Sequence, residues 1–207
     1  MATEILVLGI GNVLWADEGF GVRAVAALNE GWRFPEAVTL MDGGTQGLYL
    51  LPHVQAARRL LVFDAIDYGL APGTLQVVRD GEIPSYLGIG KMSLHQSSFQ
   101  EVLALAQLSG QAPERAVLVG VQPAVLMDYG GSLTEVVRSR LPEALRIGLE
   151  TLAAWGAPGL PREREGTLPL FDPSLAIERY EGGRPSAQAA CRIGDPRVLA
   201  GRAAGED

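Results

Sequence analysis

The sequence predicts a three-layer α/β fold: a twisted, mostly parallel sheet of about five strands with helices on both faces. Three observations predict it. Short apolar runs with the length of buried strands recur along the chain, as in Ile5-Leu6-Val7-Leu8 and Ala116-Val117-Leu118-Val119. Stretches with helical spacing of apolar residues lie between them, the alternation that builds parallel sheets. The links are short and rich in Gly, Asp and Asn, residues that punctuate strands and helices.

The first strand is Ile5 to Leu8, broken by Gly9-Ile10-Gly11-Asn12. Asp17 and Glu18 follow, and then a helix with Val22, Val25, Ala26 and Leu28 on its apolar positions. Strand, glycine turn, acids and helix in that order place a charged loop at the carboxyl end of a parallel strand, where open α/β sheets build their sites. A second strand, Ala37 to Met41, ends in Asp42-Gly43-Gly44-Thr45, and a second helix is expected from Gly47 to Ala57. Strand three is Arg59 to Phe63, closing on Asp64. These five elements read as a right-handed βαβαβ unit. Thr74 to Val78, just past Pro72-Gly73, reads as a strand nearer an edge and antiparallel.

The stretch from Asp80 to Leu94 has no periodicity and reads as a loop of the long, functional kind. Ser97 and Ser98, three residues ahead of Gln100 and Glu101, form overlapping capping boxes for a helix that stops at Ser109-Gly110. Ala116 to Val121 is the last buried strand. A final helix is signalled by the capping box Ser132-Leu133-Thr134-Glu135 and runs to Trp155, with Pro142 marking a kink or restart. Residues 1–156 are expected to form one domain. Residues 157–207 form a C-terminal extension rich in Pro, Gly, Arg and Ala, expected to be partly flexible, although Phe171 and Leu175 to Tyr180 could dock on the domain.

The whole-chain balance excludes several classes. Hydrophobic residues are 47% and charged residues 20% of the chain, which is enough apolar material for a large core. A net charge of −7, with Lys91 the single lysine, argues against nucleic acid or an anionic membrane as partner. No apolar run reaches membrane-spanning length, and Glu4 stands where a signal peptide would be basic. The single cysteine, Cys191, rules out an intrachain disulfide and fits a reducing compartment; the expected location is the cytoplasm. Cys191 lies in the extension, in a pattern that does not suit a nucleophile. Gly9-Ile10-Gly11 begins like a dinucleotide fingerprint, but the third glycine is replaced by Leu14, and the helix starts too late to meet a pyrophosphate.

Glu18 after strand one, Asp64 at the end of strand three and His95 before a helix fall on loops that open along the same sheet edge. Two carboxylates and an imidazole make a ligand set suited to a divalent transition metal. A helix amino terminus next to His95 would favour its neutral, metal-binding form. Other roles stay open. Glu18 could complement a helix dipole with Asp17 as N-cap, Asp64 could cap a turn, and His95 or His53 could be a solitary histidine.

Taken together, LGIGNVLWADEGFGVR, DGGTQG at 42–47, VFDAID at 62–67, APGTL at 71–75, SLHQ at 93–96 and LVGVQP at 118–123 resemble the hydrogenase maturation proteases. That family trims the carboxyl terminus of the nickel-iron hydrogenase large subunit. The resemblance covers residues 4 to about 156 and implies a five-stranded sheet between helices. It implies that Glu18, Asp64 and His95 are metal ligands and that the metal is nickel already carried by the hydrogenase precursor. It further implies that the chain is an endopeptidase, that the large-subunit precursor is its partner, and that the DGGTQG turn bears on substrate choice. Asp17, Asp42 and Asp67 are spare acids near the same edge. The free chain is expected to be a monomer. Two other readings stay open: a metal-binding or chaperone module without catalysis, and a Rossmann-like nucleotide binder.

Overall fold

The computed structural model describes residues 4–83, 94–162, 169–170 and 172–183, and of residues 94–98 the backbone alone. The first half of the chain runs β1 Ile5–Ile10, a 3-10 turn Ala16–Gly19, α1 Phe20–Gly31, β2 Trp32–Arg33, β3 Val38–Gly44, a 3-10 turn Gly47–Leu50, α2 Leu51–Ala56 and β4 Arg59–Ala65. Then come β5 Leu75–Arg79, a 3-10 turn Asp80–Glu82, α3 Leu94–Leu108, β6 Arg115–Val121, α4 Glu135–Arg138, α5 Leu141–Ala154, β7 Leu160–Pro161, a 3-10 turn Pro173–Leu175 and α6 Ile177–Gly183.

Five strands form one sheet in the order β3-β1-β4-β6-β5. All neighbours pair parallel except β5, which runs antiparallel to β6 at the edge. The chain steps from β1 outward to β3, then back across β1 to β4. The strand order therefore reverses between β1 and β4, the place where α/β sheets hold ligands.

Side chains alternate between the two faces of a strand, and here both faces are buried. Ile5, Val7, Leu61, Phe63, Val117 and Val119 pack under α1 and α5. Leu6, Leu8, Leu60, Val62 and Leu118 pack with Val54 of α2 and with Phe99, Val102 and Ala106 of α3. That burial on both sides is why these strands read as continuous apolar runs.

Helix α1 sits unusually close to the sheet. A Cβ on Gly21 would lie 2.1 Å from the Phe63 carbonyl oxygen and 2.3 Å from that of Ile10, and one on Gly9 would lie 2.5 Å from the Gly21 oxygen. Glycine at both positions lets strand and helix backbones touch.

Several boundaries differ from expectation. Asp64 lies inside β4, paired with Gly120, rather than just past a strand end. Helix α3 begins at Leu94, three residues ahead of the expected cap at Ser97, so His95 belongs to the helix. The segment Gly47 to Ala56 splits into a 3-10 turn and a short helix with Pro52 in its first turn. Thr134, not Ser132, stands at the N-cap position of α4 without a side-chain capping bond, and the helical path restarts at Leu141 with Pro142 in the first turn. Beyond Ala157, β7 pairs with β2 and α6 returns to the body of the fold. Phe171, Cys191 and Lys91 lie outside the described residues.

Candidate active site

The loops following β1, β4 and β6 meet at the edge where the strand order reverses. After β1 the chain folds back on itself: the Asn12 N–H donates to the Glu18 carbonyl at 3.2 Å. Gly11 makes that approach possible, because its φ is +124° and a Cβ there would lie 1.8 Å from the same oxygen. Ala16 also has a positive φ, 38°, an uncommon conformation for a residue with a side chain.

Glu18 is half-buried in the 3-10 turn, and that turn packs against β4, the strand that carries Asp64. The Asp64 carboxylate is 1% exposed, and its Oδ1 accepts from the Ala65 N–H at 2.8 Å. Strand alternation puts Asp64 on the same face as Leu60 and Val62, the face covered by α3. The far end of α3 is fixed by the Gln55 amide donating to Ser109 Oγ at 2.9 Å, beside the end of α2. The first turn of α3, which carries His95, therefore faces the loop edge, and α3 also packs against the Gly47–Leu50 turn beyond β3. The His95 side chain lies outside the described residues. Among the described residues, no group of three His, Cys, Asp or Glu side chains stands close enough to hold a metal.

The three spare acids have distinct surroundings. Asp17 is 0% exposed. Its Oδ2 accepts from the N–H groups of Ala124 at 2.8 Å and Val125 at 2.9 Å, and its Oδ1 from the Thr134 N–H at 2.7 Å. The Thr134 hydroxyl lies 3.0 Å from both oxygens. Asp17 does not cap the helix it precedes: the residue before the 3-10 turn is Trp15, and Gly19 precedes α1.

Asp67 Oδ1 accepts from the Gly69 N–H at 3.0 Å and from the Gln122 amide at 2.9 Å. Asp42 accepts from the Gly44 N–H at 2.9 Å. Burial pushes its carboxyl above the usual range, against the Gly44 hydrogen bond and the positive charge of Arg23, which both pull it down. Strand alternation sets Asp42 on the α1 face, opposite to Asp64.

Gln122 is a second organiser that sequence reasoning missed. It is buried, and its Oε1 accepts from the N–H groups of Tyr68 at 2.7 Å and Leu70 at 3.1 Å. Neither Asp17 nor Gln122 has a local signal for its role, since the groups it ties together across loops lie 52 to 117 residues away. The loop after β6 also carries exposed apolar groups beside the site, Met127 at 84% and Tyr129 at 68%. The Tyr129 ring meets Trp15 edge-on at 5.3 Å.

The extension reaches this edge. Ser132 Oγ donates to Glu181 Oε1 at 2.6 Å, and Arg138 pairs with the same carboxylate. Arg23, buried in α1, donates to the Leu175 carbonyl and stacks over the Tyr180 ring at 5.7 Å. Burial pulls the Arg23 guanidinium below its ordinary value, while Tyr180 and Glu178 raise it. A cleft of about 400 Å³ lies between extension and body, lined in part by Ala16, Val125, Thr134, Arg138 and Glu181.

Residues 22–151 match the family model described as hydrogenase maturation protease. The hydrogenase expression/formation protein HoxM of Cupriavidus necator is 55% identical over 197 residues, spanning 94% of this chain and 98% of that protein. Most of the region beyond Ala157 therefore falls within that alignment. The hydrogenase 2 maturation protease of Escherichia coli is 40% identical and spans 77% of this chain and 97% of its own length. Among solved structures, the hydrogenase maturating endopeptidase HybD from Escherichia coli superposes with a TM-score of 0.73 at 38% identity, covering 77% of this chain and 98% of that one. Sheet order, site edge and these relatives agree: the chain belongs to the hydrogenase maturation protease family and is a peptide-bond hydrolase.

Proposed function

We propose that this chain removes a carboxyl-terminal extension from the large-subunit precursor of a nickel-iron hydrogenase, recognising nickel that the precursor already carries. Glu18, Asp64 and His95 are the proposed ligands. The observation that supports this reading is that the turn carrying Glu18 packs against β4, the strand that carries Asp64, where the strand order reverses. Helix α3, whose first turn carries His95, packs through Phe99, Val102 and Ala106 on the sheet face of Leu60 and Val62, the face that strand alternation gives Asp64. A solved relative at 26% identity is described as a NiFe hydrogenase maturation protease, HybD from Thermococcus kodakarensis.

In this reading nickel is part of the substrate. Carboxylate and imidazole ligands suit such an ion, and binding it holds the adjacent peptide bond against the loop edge. Cleavage then acts as a checkpoint, since a precursor without nickel lacks the feature that docks it. Asp17 and Asp67 are committed to hydrogen bonds and are poor candidates for the base. Asp42 faces away from Asp64. The DGGTQG segment at 42–47 borders the same edge and is proposed to bear on substrate choice, to be tested by segment swaps between proteases of different hydrogenases.

We place the activity in the cytoplasm with the free chain a monomer, as the single cysteine suggests for the former. No helix among the described residues is long and apolar enough to cross a membrane. The test is the intact mass of a nickel-loaded large-subunit precursor before and after incubation with this chain, with the nickel-free precursor in parallel. A short carboxyl-terminal loss confined to the loaded sample is expected. Equal cleavage of both would remove nickel recognition, and binding without cleavage would point to a chaperone. Alanine at Glu18, Asp64 or His95 should each abolish cleavage; wild-type rates in any one would remove that residue from the ligand set.

A further inference from the structure

Asp17 is a fully buried carboxylate that serves neither as a helix cap nor as a partner for any cation among the described residues. Everything it accepts comes from one distant segment, the loop between β6 and α4. The backbones of the same two segments are also joined. Gly130 donates to the Leu14 carbonyl at 2.8 Å, Ala16 to that of Gly131 at 3.0 Å, and Asp17 to that of Val125 at 3.1 Å. The turn between Leu14 and Asp17 and the loop between Ala124 and Thr134 therefore form one stitched unit.

That unit holds Ala16 at a φ of 38°, a conformation its side chain disfavours. The turn would not keep this shape by its own preference, and Glu18 is the next residue but one along it. We propose that Asp17 is a positioning residue: its buried carboxylate locks the loop after β6 to the turn after β1 and so fixes where Glu18 stands. The kinetic part of this proposal rests on the protease reading above; the structural part does not. Displacing a reacting geometry by about 1 Å lowers rates by about 100-fold, so a residue that only holds the turn still sets the rate.

The test is Asp17→Asn, which keeps the shape of the side chain. Whichever way the amide turns, its NH₂ group faces N–H donors, either those of Ala124 and Val125 or that of Thr134. Hydrogen-deuterium exchange is read on the peptides spanning 12–19 and 123–134, together with kcat and KM for precursor cleavage. Leu152→Ala, on the buried side of α5 and with no hydrogen bond to the latch, is the control for general destabilisation. Thr134→Ser and Thr134→Val test the hydroxyl, which the serine keeps.

The expected result is faster exchange in both peptides of Asp17→Asn, kcat lower by about 10- to 100-fold and KM raised, because Glu18 belongs to the set that docks the precursor. Leu152→Ala should show wild-type kcat despite a comparable loss in Tm, and Thr134→Ser should sit close to wild type with Thr134→Val below it. Unchanged exchange in either peptide would overturn the latch. Wild-type kcat in an Asp17→Asn protein with faster exchange would overturn the positioning role. If the unaltered chain cleaves no precursor, the protease reading falls, and exchange in the two peptides alone decides the latch.

Discussion

Gln122 holds Asp67 across two loops: its Nε2 donates to Asp67 Oδ1 at 2.9 Å, while its Oε1 receives the N–H groups of Tyr68 and Leu70. One buried amide thus ties the loop after β4, the strand of Asp64, to the end of β6. Gln122→Leu keeps the volume and removes every one of these bonds. Polar groups left without partners in a partly buried place cost about 1–3 kcal/mol each, so a loss of about 3 kcal/mol is expected in urea unfolding. Cleavage should fall as well, because Asp64 would lose its neighbouring support. A loss below about 0.5 kcal/mol, the size of a neutral surface change, would show that the amide does not organise this edge.

Gly21 and Gly31 make a matched pair in α1. A Cβ at Gly21 would enter the carbonyl oxygens of Phe63 and Ile10, both backbone atoms that cannot swing aside, whereas one at Gly31 meets nothing within 4 Å. Gly21→Ala should force the helix off the sheet and cost more than about 3 kcal/mol, in the range of severe core changes. Gly31→Ala should be neutral or stabilising by up to about 1 kcal/mol through helix propensity. Thermal melts of the two variants check this, and similar Tm values would refute the close-approach argument.

Asp42 offers a test by pH. Its carboxyl is raised, mainly by burial, so the ionised form is less welcome in the folded chain than in the unfolded one. The contribution of Asp42 to stability is therefore full below the ordinary carboxylate range and declines as pH rises through the raised value. Asp42→Asn can still accept from the Gly44 N–H and carries no charge. It should melt about 1–3 °C above wild type at neutral pH, less than about 1 kcal/mol in a chain of this size. That advantage should vanish in acid, where Asp42 is protonated in both states. A difference independent of pH would mean that charge burial is not its cause.

The strands and their order of appearance were legible because burial on both faces leaves nothing polar in runs such as Leu60 to Phe63. The edge position and antiparallel direction of β5 followed from Pro72-Gly73 ahead of it. Glu18 falls in the turn after β1, as the glycines and acids there mark it, whereas Asp64, read as closing its strand, is still paired inside β4. What escaped was built from distant backbone donors. The N–H groups that Asp17 collects lie more than 100 residues away, and no local pattern announces them. Thr134 was misread for the same reason: the capping pattern pointed to Ser132, but Ser132 bonds Glu181 in the extension. Helix α3 starts ahead of its best capping residues because its position is set by packing of Phe99, Val102 and Ala106 against the sheet.

The extension gives the last test, through a buried cation. Arg23 is 6% exposed in α1, where burial disfavours its charge. Among the groups around it are the Leu175 carbonyl, the Tyr180 ring and the Glu178 charge, all supplied from beyond residue 157. A chain ending at Arg162 keeps β7 and its pairing with β2 but removes all three, along with Glu181 against Arg138 and Ser132. The truncation takes away these three groups while Glu30 and Asp42 remain near the guanidinium, so it should lower stability by about 1–3 kcal/mol. Arg23→Met in the full-length chain replaces the charge by a side chain of similar reach. In the truncated chain the same substitution should recover much of the loss, whereas in the full-length chain it should not stabilise. If truncation and Arg23→Met were simply additive in a double-mutant cycle, the extension would not be supporting this residue, and its docking would rest on Glu181 and on the packing of Leu170 and Ile177 against the core.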